Sequence, residues 1–150
     1  MGLVYRHDGE PEKARAEFLE DAALEPSVAF NYDQLGLLAN AEGKDKEASS
    51  YFERAVKEDA RLGTSWFGLA KIYRAEKRYA EALRALDKAG AIDAKSASVH
   101  YLRAEVLGAM GRRDEAQKEM AEVQRLKKEG VDQLEREISG ATYRDREVVK

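Results

Sequence analysis

The chain of 150 residues has no cysteine, only two histidines, two prolines and one tryptophan. Without cysteine there is no disulfide, no thiolate nucleophile and no cysteine-based zinc site. No stretch of even ten consecutive apolar residues occurs, so neither a membrane-spanning helix nor the apolar segment of a signal peptide can be drawn. Nor does one sign of charge dominate: 26 Lys and Arg stand against 29 Asp and Glu, a net charge of −3, with both signs mixed along the chain. A nucleic-acid binder usually carries a basic stripe, and none is visible. Met1-Gly2 is followed by Arg6, where a myristoylation signal needs Ser or Thr. Gly43-Lys44 is not a phosphate loop, because Leu38 stands in place of the first glycine and Asp45 in place of the magnesium-binding hydroxyl.

What the chain does have is a beat of 34 residues. Ala14, Ala48, Ala82 and Ala116 fall on it. So do Gly2, Gly36, Ala70 and Ala104, all small, and Phe18, Phe52, Leu86 and Met120, all large and apolar. Gly9, Gly43 and Gly111 form another column, with Lys77 taking the third place, and Tyr32, Trp66 and His100 form a column of rings. A fixed period of this length marks stacked repeats, each burying its apolar face against the next. The 43% hydrophobic content is enough for a continuous core and too much for disorder.

These columns resemble the tetratricopeptide repeat, a helix–turn–helix unit. The resemblance rests on Tyr32, Leu35, Gly36, Gly43, Ala48, Phe52 and Ala55 in the second unit. Trp66, Leu69, Ala70, Tyr73, Ala82, Leu86 and Ala89 carry it in the third. The fourth unit departs at Arg103, where Leu is usual, and at His100. Pro26 matches the proline that ends a repeat, whereas Ala60 and Ala94 do not. The implied fold is an all-α solenoid of antiparallel helix pairs.

Within each repeat the pattern predicts a helix A and a helix B. The expected spans are about 28–42 and 45–59, 63–76 and 79–92, then 97–110 and 113–129. The first unit retains helix B over about 11–24, with Pro11 in the first turn, where a missing N–H costs nothing. The array is expected over residues 1–139: a partial repeat 1–28, repeats 29–62, 63–96 and 97–130, and a capping helix 131–139. Val131, Leu134 and Ile138 share one face of that capping helix, which either stands alone or continues the preceding one through Gly130. Residues 140–150 read as a flexible polar tail. At the front, Gly2 already occupies the eighth position of a repeat. The first helix A is therefore expected to be completed by a longer array or covered by another molecule.

No convergent catalytic set is found, and no cofactor or metal site is expected. His100 reads as a core ring, and His7, Asp8 and Glu10 as a solvated loop. Trp66, Tyr73, Phe52 and Phe18 read as core. The resemblance implies that helices A line a groove. Carried over by position, the candidate partner-binding residues are Phe30, Asp33, Leu37 and Asn40, then Phe67, Lys71 and Arg74, then Tyr101 and Glu105. Thr64 and Ser98 lie on the same stripes. Phe67 and Tyr101 share a repeat position and are expected side by side as apolar anchors, with Lys71 and Arg74 supplying positive charge. The lysine, asparagine and arginine with which some family members clamp a C-terminal carboxylate are missing from the matching positions. The expectation is a non-catalytic scaffold that binds a peptide or protein segment in the groove, with no nucleic-acid or membrane partner. The alternative is an assembly module that docks or self-associates through its N-terminal edge. No targeting signal is seen, so a soluble and by default cytoplasmic protein is expected.

Overall fold

Small residues at one helical position and a positive-φ residue after each helix A are the features that set the architecture. The computed structural model describes residues 9–147, with side-chain surroundings through residue 139. Seven helices occur among the described residues: α1 (Pro11–Leu24), α2 (Ala29–Ala41), α3 (Asp45–Glu58), α4 (Gly63–Ala75), α5 (Tyr79–Ile92), α6 (Ala97–Ala109) and α7 (Arg113–Glu147). Each starts and stops within a residue or two of the expected span, except α7. That helix passes through Gly130 without a break and runs to Glu147. Of the two alternatives for the capping span 131–139, the helix takes the continuous one, and position 140 is not a helix end. Gly2, Leu3, His7 and the half-helix expected before Gly9 lie outside the described residues, as do residues 148–150.

The turns explain the regular helix lengths. Gly9, Gly43 and Gly111 have φ of 75°, 72° and 79°, and Lys77 has φ of 60°. All four fall on the 34-residue beat. After α2, the N–H of Gly43 donates to Asn40 O at 3.1 Å and that of Lys44 to Ala39 O at 2.9 Å; Lys77 and Arg78 repeat the arrangement after α4. This left-handed termination satisfies the last carbonyls of the helix and reverses the chain. Glycine reaches that conformation without strain; a lysine does not.

The chain divides into two compact units, Met1–Ala94 and Lys95–Lys150. In the first, α2 packs on α3, α4 on α5, and α1 and α4 contact α2 and α3 in turn. Ala14, Ala48 and Ala82, each the fourth residue of its helix, are 0% exposed. Phe18 joins Ala14, Leu35 and Leu38 in one buried cluster against Tyr32 and Tyr51. Phe52 is the wedge of this unit. Its ring lies so close to α2 and α4 that a Cβ added at Gly36 would sit 2.6 Å from it, and one at Gly68 2.5 Å. One aromatic ring fills the space that two glycines leave, which lets three helices approach closely.

The second unit is the pair α6 and α7. The Ser96 hydroxyl caps α6 by accepting from the Val99 N–H at 3.4 Å. Val99, Leu102, Val106, Leu107, Val123 and Leu126 form its buried side. Of the recurrent columns, Ala116 is only half-buried and Met120 is 36% exposed. No helix among the described residues is long and apolar enough to cross a membrane.

Candidate interaction surface

Helices α2 and α4 are the two A-type helices among the described residues of the first unit, and they touch directly. Their junction is polar. Asp33 Oδ1 accepts from Thr64 Oγ1 and from Ser65 Oγ, both at 2.6 Å, and Asp33 Oδ2 accepts from Gln34 Nε2 at 3.1 Å. Asp33 is 3% exposed and Ser65 0%. A buried carboxylate is costly unless its lone pairs are filled, and here donors from two helices fill them. The Gln34 amide oxygen is buried without a hydrogen-bond partner.

This junction corrects one sequence expectation. Its repeat position places Asp33 in the open groove, but the side chain is buried in the helix junction, where it accepts from Thr64, Ser65 and Gln34. Its hydrogen bonds tie the two A-type helices together at this point.

The remaining assigned residues lie elsewhere on the A-type helices. One turn beyond Asp33 on α2 stand Leu37 and then Asn40, both half-buried. One turn beyond Thr64 on α4 stands half-buried Phe67, followed by exposed Lys71 and Arg74. Phe30, near the start of α2, is 40% exposed and meets Phe18 edge-on with ring centroids 6.3 Å apart. In the second unit Tyr101 is 48% exposed, and with Ala104, Glu105, Ala116 and Met120 it lines an open, mainly apolar hollow of about 360 Å³.

Two rings of the Tyr32 column, Trp66 and His100, act through their polar edges as well as their bulk. Trp66 Nε1 donates to Ala60 O at 2.9 Å, pinning the turn between α3 and α4. His100, expected as a core ring, lies between α6 and α7, with Nδ1 2.6 Å from Glu119 Oε2. Arg103 Nη1 approaches the other Glu119 oxygen at 3.6 Å. Arg54 lies over the Tyr32 ring, 5.4 Å from its centroid.

Away from the A-type helices, ion pairs fasten turns. Arg15 of α1 reaches Glu42 at 2.9 Å and Glu47 at 2.6 Å. Lys44 and then Arg15 hold the Glu42 carboxyl below its usual range, and Glu42 raises Arg15. Arg78 bonds Glu81 and Glu76 and lies 4.4 Å from the centre of the Tyr73 ring. Burial, and after it Glu53, pushes the Tyr73 phenol up. Among the described residues no group of His, Asp and Glu could hold a metal ion.

Sequence reasoning missed Gly68. Its repeat position holds Gln34 in the second unit and Leu102 in the fourth, so side-chain size does not recur there and no column marks it. It also missed Ser65, which reads as an ordinary polar residue near a helix start.

The sequence matches the tetratricopeptide repeat family over residues 39–106 and 73–130. No curated protein matches the chain by sequence. Among solved structures, the crystal structure of MamA superposes with a TM-score of 0.80 at 19% identity, covering 87% of this chain and 77% of that one. A MamA segment from Desulfovibrio magneticus RS-1 gives 0.76 at 19% identity, with 83% and 71% covered. PilF of Pseudomonas aeruginosa gives 0.73 at 23% identity, with 83% and 57% covered. At these identities the likeness speaks for the fold.

Proposed function

This chain belongs to the tetratricopeptide repeat family, a fold that serves as a protein-interaction scaffold, and from that membership we propose that it binds a protein or peptide segment on its A-type helices without catalysing a reaction. The observation that carries this reading is the composition of the α2–α4 face once the Asp33 junction is set aside. Leu37 and Phe67 are half-buried apolar side chains that the core columns do not require, and Lys71 and Arg74 stand exposed beyond them. An apolar strip edged by cations suits a segment with one or two apolar anchors flanked by acidic side chains. Tyr101 and Glu105 offer a second, smaller surface on α6.

An affinity of about −8 kcal/mol, on the order of micromolar, is ordinary for such a contact. Selection of peptides displayed on phage against the immobilised chain tests the reading. The recovered segments should carry Asp or Glu beside an aromatic or aliphatic residue. A Phe67→Ala, Lys71→Glu double variant should lose them while its circular dichroism stays the same. Undiminished capture by that variant would remove this face from the assignment.

A further inference from the structure

The distal half of α7 carries an inference separate from the groove. Leu126 is the last buried residue of the helix among those whose side chains are described, and every one from Lys127 to Ser139 is exposed. A helix of this kind has little to hold it in water beyond local pairs such as Gln133–Glu137 at 2.9 Å and the Arg136 bond to Asp132 O at 3.0 Å. Gly130 sits inside it, where glycine is a weak helix former. Yet Val131, Leu134 and Ile138, 55%, 56% and 57% exposed, follow a three-then-four spacing on one face. This is the seam pattern of two paired helices, in which Val131 and Ile138 take one core position and Leu134 the other.

The flanking charges identify the occupant. Lys128 and Glu135 lie seven residues apart on the same side of the seam, and the opposite flank offers Gly130 and Glu137. If two helices run antiparallel with Val131 of one against Leu134 of the other, like flanks meet. Lys128 of each copy then comes within about one helical rise or two of Glu135 in the other, twice over by symmetry. Sliding the pair so that Leu134 meets Ile138 instead sets Glu135 against Glu135. A parallel pair sets Glu135 against Gly130 and makes no opposite-charge contact at this seam. Only one of these arrangements is complementary to itself. We propose that the distal α7 is a homotypic docking surface, through which two copies of this chain associate antiparallel about the Val131–Leu134 layer. The seam is short: Val131 and Leu134 of the two copies face one another, while Ile138 falls opposite Lys127 and packs only on its aliphatic stem, so the association is weak and reversible, at the low end of interface sizes.

Sedimentation of the full chain across a range of concentrations reads this directly. A monomer–dimer equilibrium is expected, abolished by Leu134→Asp. Lys128→Glu alone and Glu135→Lys alone should each weaken the dimer by about tenfold or more, because each places like charges at both contacts. Mixing these two variants should restore dimer as a heterodimer, since one copy then carries acidic and the other basic residues at both 128 and 135. A chain that stays monomeric at every concentration overturns the proposal. So does a dimer indifferent to Leu134→Asp, or single reversals that leave association unchanged. If the mixed variants fail to associate, the antiparallel register is wrong and the proposal falls with it.

Discussion

Asp33→Ala should weaken the first unit more than any exposed substitution on α2. The mutation removes one acceptor oxygen from two hydroxyl donors on α4, each 2.6 Å away. Their fates differ. Thr64 is exposed and regains water, so its loss is that of one solvent-screened hydrogen bond, about 1 kcal/mol net. Ser65 is 0% exposed, and its stranded hydroxyl costs about 1–3 kcal/mol. The sum is about 2–4 kcal/mol, which for a chain of this size lowers the melting temperature by about 5–12 °C. In a stacked array the cost falls on one junction, so the transition should also broaden. Asp33→Asn keeps an acceptor oxygen toward both hydroxyls, and a flip of the Gln34 amide brings its unpartnered oxygen to accept from the new amide nitrogen, so it should cost much less. Urea unfolding followed by circular dichroism measures all three proteins. A double-mutant cycle of Asp33→Ala with Ser65→Ala isolates the contact, with an expected coupling of about 1–2 kcal/mol. Coupling below about 0.3 kcal/mol would show that the junction is held by apolar packing alone and that Asp33 is incidental to it.

Other consequences can be measured in the same way. Gly68→Ala sets a methyl 2.5 Å from the Phe52 ring, which Gly36 blocks on its other edge, so unfolding should cost about 1–3 kcal/mol less; Gly108→Ala, which meets nothing within 4 Å, should be neutral or mildly stabilising. Lys77→Gly should raise stability by about 0.5–1 kcal/mol, because φ of 60° strains a lysine and not a glycine, and an unchanged urea midpoint would contradict this. Glu42 is held below its usual range by Lys44 and Arg15, so its contribution is complete above the unfolded glutamate value of about 4.3 and is lost as pH falls through the lower folded value. The urea midpoints of wild type and Glu42→Gln should therefore differ at pH 7 and converge on acidification; a constant gap would mean that the ion pairs contribute nothing to the acid limb.

The helices and their order were legible in the chain because side-chain size is a local property that recurs. An alanine every 34 residues marks the fourth residue of each B-type helix, and a glycine at the same interval, replaced once by Lys77, marks each turn that needs a positive φ. Neither signal needs knowledge of distant contacts. Tertiary structure alone decided which polar residues face inward. Asp33 reads as a groove residue because its repeat position resembles one; it is buried because hydroxyls 31 and 32 residues away meet it. Gly68 is needed only because the Phe52 ring crosses to α4. Whether α7 would bend at Gly130 was equally open, since glycine permits both a turn and a continued helix; the backbone continues. Periodicity reports how each residue relates to its own helix. Packing between helices sets which of those residues remain for a partner.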